Sequence, residues 1–266
     1  MVEQSVEFID IGVNLSNSSL IKQVDAVIER AKAASVNKMI VTGTSLVDSE
    51  IAIALCEQFP DQLHCTVGIH PHDAKQWDDQ SLLQLQALSE KQPVCAIGET
   101  GLDFNRNYSP QEQQLEVFAE QIQLAQQNRK PLFCHQRDAH SAFISLLKEY
   151  RNELKDIVVH CFTDNKKALY DYLDLDCHIG ITGWICDERR GIELQQLVPI
   201  IPADKLMLET DAPYLLPRDL DPKPKSRINE PMHLPHIAAT VARLQKKELE
   251  QLASECLRTT LKFFSI

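Results

Sequence analysis

Four side chains, far apart in the sequence, are of the types that do metal chemistry: Glu99 in AIGET, His135 in PLFCH, His160 in DIVVHC and Asp211 in ETDAP. Each closes or follows a short apolar run of strand length. GIHPHD adds His70, His72 and Asp73, and DIGVNL adds Asp10 and Asn14. Neutral imidazoles and carboxylates bind divalent cations, and a cation left open to water brings that water's pKa towards neutrality. A carboxylate beside it can orient or deprotonate the water. A lone strand-end histidine more often packs under a loop than binds a metal. The recurrence of Glu99, His135, His160 and Asp211 at equivalent places makes them the expected metal ligands, with Glu99 and Asp211 also the catalytic carboxylates. VCAIGETGLDFNRN makes the point sharply: a run that reads as a buried strand meets a charge that is costly to bury.

Equivalence of those positions depends on the elements that carry them. FIDIGV, KMIVTG, HCTVGI, VCAIGE, PLFCH, DIVVHC, HIGIT and KLMLET are eight strand-sized runs rich in Val, Ile or Cys. Between them, segments such as LIKQVDAVIERAKAA and QEQQLEVFAEQIQLAQQ return apolar residues every three or four positions, the spacing of a helix face. With strand ends at Asn14, Gly43, His70, Glu99, His135, His160, Thr182 and Asp211, each interval holds a loop, a crossover helix and another strand. Eight β/α units predict an α/β chain folded as a (β/α)8 TIM barrel, its site at the C-terminal ends of the strands. A doubly wound open sheet is the competing arrangement. His64 and His178 fall near strand starts, the opposite end. His140 begins a helix, while His233 and His236 flank prolines.

The 266 residues suit a single barrel domain spanning 1–266, with no linker or charge block to divide them. A net charge of −11 argues against broad, nonspecific binding to nucleic acid or anionic lipid, though not against a local basic patch. No apolar run approaches a membrane span, and the first residues do not resemble a secretory signal. Eight scattered cysteines without a CxxC pair suit reduced thiols in a cytoplasmic protein.

GIHPHD, AIGETGLDFNRN, PLFCHQRDAH, VVHCFT, GITGWICDERRG and ETDAPYLLPRDL together resemble the diagnostic stretches of the TatD family of metal-dependent deoxyribonucleases, in order and across essentially the whole chain. The resemblance implies a TIM barrel of the metallo-dependent hydrolase type, hydrolysis of phosphodiester bonds, and Glu99, His135 and His160 as metal ligands with Asp211 as the acidic site residue. It implies Mg²⁺, with Mn²⁺ or Zn²⁺ the alternatives that two imidazoles favour. Many members resemble one another in an HxH pattern on the first strand, where this chain has Gly12 and Asn14. That departure marks a subgroup, and it predicts one tightly held cation at the site, with Asp10 organising its loop. Restoring both imidazoles is then expected to raise metal stoichiometry, provided the backbone leaves room for a side chain at position 12.

Arg106, Arg137, Arg189, Arg190 and Arg218 follow the site residues, and Lys223, Lys225 and Arg227 continue the positive charge in a proline-rich segment. Arginine forks suit phosphate oxygens, so Arg106, Arg137, Arg189 and Arg218 are the expected substrate contacts. Phe104, Phe162, Trp184 and Tyr214 lie in the same loops, and one or two of them are expected to stack on bases. A narrow basic mouth suits a strand end. This agrees with what the resemblance implies: 3′→5′ exonuclease action on single-stranded DNA or RNA, in DNA repair or nucleic-acid degradation. No exposed heptad or swapped strand is apparent, so a monomer is expected. The alternatives are an amidohydrolase-type enzyme acting on amides or small esters, against which Gly12, Asn14 and Glu99 count, and a catalytically inert binding partner.

Overall fold

The structure, a computed structural model, describes residues 6–266. Eight parallel strands are ordered β1 to β8 in sequence: β1 (Phe8–Val13), β2 (Val36–Val41), β3 (Leu63–Val67), β4 (Val94–Asp103), β5 (Leu132–Arg137), β6 (Ile157–Val159), β7 (His178–Ile181) and β8 (Leu206–Leu208). The last meets the first through a parallel bridge between Val13 and Ala212, flanked by Asn14 N–H to Ala212 O at 2.8 Å and Asp211 N–H to Gly12 O at 2.9 Å. The expected TIM barrel is the observed fold, and the open sheet is not.

Helices α1 (Val24–Ala33), α2 (Leu46–Gln58), α3 (Asp79–Ser89), α4 (Gln111–Asn128), α5 (His140–Tyr150), α6 (Lys166–Asp174), α7 (Ile192–Leu197), α8 (Leu234–Gln245) and α9 (Leu249–Phe264) cover the strands. Local chemistry starts several of them. Ser45 Oγ accepts the Asp48 N–H at 3.1 Å ahead of α2, and Asp78 with Ser81 forms a reciprocal capping box at α3. β1, β4, β6, β7 and β8 are buried at every position, as parallel barrel strands covered on both faces tend to be. A large apolar layer separates strands from helices. A smaller one fills the barrel, where Ile11, Ile40, Ala96, Phe133, Val158 and Met207 meet Phe263 and Phe264 from the end of α9.

Two strands run past their expected ends. β4 continues beyond Glu99 to Asp103, and β5 beyond His135 to Arg137. In β4 the register against β5 shifts between Ile97 and Thr100, and Gly98 sits at φ +147°, open only to glycine. The glycine-rich sequence lets this strand buckle while it keeps pairing. Glu99 is therefore turned into the mouth from within a strand, and Asp103 becomes a second buried carboxylate.

His64 and His178 lie at the other end of the barrel, as their sequence positions predicted. His178 is buried against Phe263, ring centroids 4.9 Å apart. Burial, helped by Lys205, lowers its pKa from 6.5 to about 4. The depressed folded pKa means that the unfolded chain takes the proton first as pH falls. The resulting stability is present above pH 6.5 and is lost down to about pH 4, a span of about 3 kcal/mol. Urea unfolding at pH 7 and pH 4.5 should show most of that loss, and His178→Leu should reduce the difference. An unchanged pH dependence in the variant would place the acid sensitivity elsewhere.

Candidate active site at the barrel mouth

The mouth holds a cavity of about 520 Å³ lined by His70, His72, Glu99, His135, His160 and Asp211, among others. Glu99 is its centre. One carboxylate oxygen, Oε1, lies 2.8 Å from His160 Nε2, 3.1 Å from His135 Nδ1 and 3.2 Å from His70 Nε2. Burial opposes the Glu99 charge, but His160 and His70 nearby and hydrogen bonding from His135 and His160 hold its pKa well below the usual carboxylate range. The apparent conflict of a charge in an apolar strand is thereby resolved.

A second tier of carboxylates stands behind the histidines. Asp103 Oδ2 binds His72 Nε2 at 2.7 Å and faces His135 Nε2 at 3.4 Å. Despite its burial cost, contacts from His135 and His72 keep Asp103 strongly acidic. Glu209, fully buried, accepts the Cys161 N–H on Oε1 and meets His160 Nδ1 at 3.3 Å on Oε2. Burial works against protonation of His160, yet Glu99 and Glu209 push its pKa well up. His135 is raised too, with Asp103 and Glu99 overcoming burial, while His70 is lowered by burial.

Asp211 occupies the opposite wall. Its backbone is left-handed at φ +53°, a conformation Asp tolerates, and its Oδ1 accepts from Asn14 Nδ2 at 3.1 Å. Burial pushes its pKa up to about 7, with His160 opposing and the charges of Glu99 and Glu209 adding. Asp10 is buried outside the cavity lining and accepts from Gly12 N–H, Thr210 N–H and Thr210 Oγ1–H, tying β1 to the segment after β8.

The donor set fits a divalent cation. One donor atom each from His70, Glu99 and His135 lies within 4.8 Å of the others. His135 Nε2 is buried and makes no hydrogen bond. The carboxylates draw positive charge onto two imidazoles, a demand that a cation meets equally well.

Of the residues expected from sequence, Glu99, His135, His160 and Asp211 all line one cavity. His70 joins them directly on Glu99. Asp103 and Glu209 were missed, although the first lies in the GLD stretch and the second immediately precedes TDAP. Arg106 and Arg137 also line the cavity. Arg189 and Arg218 stand outside the lining, engaged with Asp187 and Glu188 at 3.1 to 3.9 Å. Among the aromatics, Trp184 and Tyr214 line the cavity, Phe162 is buried in the core and Phe104 packs against it.

Gly12 does not leave room for a side chain. A Cβ there would stand 2.6 Å from Glu209 Oε2 and 3.2 Å from Phe133 Cζ. A Cβ on Gly180 would similarly stand 2.5 Å from Glu209 Oε1. The two glycines make the seat for the Glu209 carboxylate, so the condition for restoring a first-strand imidazole pair is not met.

Comparison with known proteins gives a consistent picture. A family model described as TatD related DNase matches residues 9–265. A 3′-5′ ssDNA/RNA exonuclease TatD from Erwinia tasmaniensis is 48% identical over 257 residues, covering 97% of this chain and 99% of the relative. The protein of the same name from Edwardsiella piscicida is 50% identical, covering 92% and 94%. Among solved structures, the TatD homolog YJJV from Escherichia coli K12 superposes with a TM-score of 0.89 at 28% identity, covering 98% of this chain and 99% of that one.

Proposed function

The chain belongs to the TatD related DNase family and is a nuclease, and from that premise we propose that it is a divalent-metal-dependent 3′→5′ exonuclease of single-stranded DNA and RNA. The observation that carries the reading is the Glu99 carboxylate at the barrel mouth with three imidazoles on one oxygen. Relatives matched over nearly their full length, and named for this activity, support it.

Glu99, His135 and His160 would hold the cation, with His70 beside them and Asp211 on the facing wall. When bound, the cation supplies polarisation of a phosphoryl oxygen and an acidified water. We assign Mg²⁺ first, with Mn²⁺ able to replace it, since imidazoles favour the latter. The remaining tasks belong to the chain. Asp211, fixed at Oδ1 by Asn14, holds or takes a proton at Oδ2, and positive charge in the cavity favours its ionised form. Glu209 and Asp103 aim His160 and His135, as outer carboxylates do for ligating histidines. Arg106 and Arg137 bind phosphates along the entering strand. Tyr214, about half exposed, stacks on a terminal base. Trp184 shares that task, with the Arg190 guanidinium already 4.2 Å from its ring centroid. The cavity volume lies in the range of small-ligand sites, roughly 300–1,000 Å³, which suits one strand end.

Single-stranded oligonucleotides labelled at the 3′ end test this. With Mg²⁺ they should release labelled mononucleotide first, and chelation should stop the reaction. Internal cleavage before loss of the label, or turnover without metal, would overturn the assignment. Binding should also weaken with salt, log affinity falling on the order of 0.7 per phosphate neutralised for each unit of log salt. Arg137→Gln should reduce that slope by about one phosphate. A salt-independent affinity would point to an uncharged substrate.

A further inference from the structure

We infer that Cys186, Asp219 and His236 form a second cation site, for a thiophilic divalent ion such as Zn²⁺, which clips the long segment after β8 to the turn after β7 and to α8. One donor atom from each residue lies within 4.8 Å of the other two, and none of the three lines the catalytic cavity. They come from three separate parts of the chain. Cys186 ends the turn Gly183–Cys186, Asp219 lies in the segment after β8, and His236 is in the first turn of α8. Imidazole, carboxylate and thiolate are zinc's donor types, and three protein ligands leave a fourth position for water. The donors grouped at the mouth are two imidazoles and a carboxylate, with Cys161 elsewhere in its lining, whereas here a thiol is one of the three grouped donors.

The local geometry requires little adjustment. His236 Nε2 and Asp219 Oδ1 are 2.7 Å apart, whereas two such donors on a tetrahedral ion stand roughly 3.3 Å apart. The Asp219 side chain is 47% exposed and free to turn outward. Cys186 is buried, and its Sγ has only a weak partner in Thr240 Oγ1 at 3.5 Å. Burial above all pushes its thiol up to about 12, with Thr240 opposing and Asp219 adding. It is therefore a neutral thiol without a cation. Binding replaces the S–H proton by the metal and releases that proton to solvent.

The segment itself supplies an independent reason for a clip. From Pro213 to Glu230 it contains no helix or strand, and residues 221–227 are exposed throughout. Loops of this length without secondary structure are uncommon in a compact domain, and those that occur and stay ordered are usually functional. Its tip, Lys223 to Arg227, continues the basic charge. Its base carries Tyr214 and Leu215 into the cavity lining. The Asp219–His236 contact links the segment to α8, Arg218 links it to Glu188, and the Cys186 turn includes Trp184, another cavity residue. A cation there joins both walls of the mouth.

Metal-free full-length protein titrated with Co²⁺ separates this site from the catalytic one. Wild type and Glu99→Gln should both develop a near-ultraviolet thiolate-to-cobalt absorption band. Cys186→Ser should lose it, and His236→Gln should need at least about tenfold more Co²⁺ to reach it. Should Cys186→Ser fail to fold, His236→Gln and the proteolysis assay carry the test. Trypsin cleavage after Lys225 and Arg227 should slow at least severalfold when Zn²⁺ is added to Glu99→Gln, and not when it is added to Glu99→Gln carrying His236→Gln. No band in wild type, a band that survives Cys186→Ser, or tryptic cleavage indifferent to Zn²⁺ would overturn the proposal.

Discussion

Glu99→Gln should yield a folded barrel whose turnover, at saturating substrate and metal, is lower by at least about 10²–10³-fold, the scale of losing one electrostatic contact to developing charge. The substitution keeps the side chain's size, so packing in β4 is preserved. It removes the negative charge that lies within 3.2 Å of three imidazoles and counts among the chief supports for protonation of His160. Because the imidazoles hold this carboxylate well below its ordinary pKa, its charge is net stabilising, so the metal-free variant should stay folded but lose some thermal stability. The amide oxygen still accepts a hydrogen bond, but the site loses one unit of attraction for a dication. Half-maximal activation should therefore require at least tenfold more metal. Circular dichroism and initial rates over a metal titration measure the two sides separately. Wild-type-like turnover in the folded, metal-supplied variant would remove Glu99 from the centre of the mechanism.

Glu209→Ala should act in the opposite sense, damaging the fold first. Glu209 is fully buried in the seat formed by Gly12 and Gly180, with the Cys161 N–H on one oxygen and His160 on the other. Alanine leaves that N–H without its acceptor, strips His160 of its outer partner and opens a hole that the two glycines cannot fill. Removing one partner from a buried ionic pair costs about 3–5 kcal/mol, which for a chain of this size lowers Tm on the order of 10 °C. Glu209→Gln keeps one acceptor and the volume, and should lose much less stability. Its activity should still fall about 10–100-fold, because the His160 ring is no longer held by a charge. Scanning calorimetry of the pair decides the matter. Equal Tm values for Glu209→Ala and wild type would show that the carboxylate is dispensable to the fold.

The residues that sequence reasoning missed have something in common. Asp103 sits beyond the expected end of a strand, because two glycines let β4 keep pairing with β5 past Glu99. Glu209 is one residue beyond β8, where a carboxylate before TDAP reads as an ordinary exposed charge. Gly12 looked like a ligand lost from the first strand. Its reason lies in Glu209, 197 positions away, whose carboxylate takes the space a Cβ would need. Arg189 and Arg218 have the residue type that suits phosphate, but their orientation is set by Asp187 and Glu188, which engage them outside the cavity.

Sequence by itself determined the eight β/α units, their order and the kind of group presented at one end. Those features are local: apolar runs of strand length and a three-to-four-residue helical spacing are properties of neighbouring positions, and burial enforces them wherever the chain goes. The TatD-like stretches also carried the ligand types, because imidazoles and carboxylates at strand ends have few other uses in such number. Tertiary structure alone decided the pairings: which oxygen of Glu99 three histidines share, that Asp103 and Glu209 stand behind them, and that Cys186, Asp219 and His236 meet. These depend on strand stagger and barrel closure, which bring residues from distant turns of sequence to within a few ångströms. No local pattern encodes them, since a hydrogen bond is sensitive to tenths of an ångström and periodicity only to which face a side chain takes.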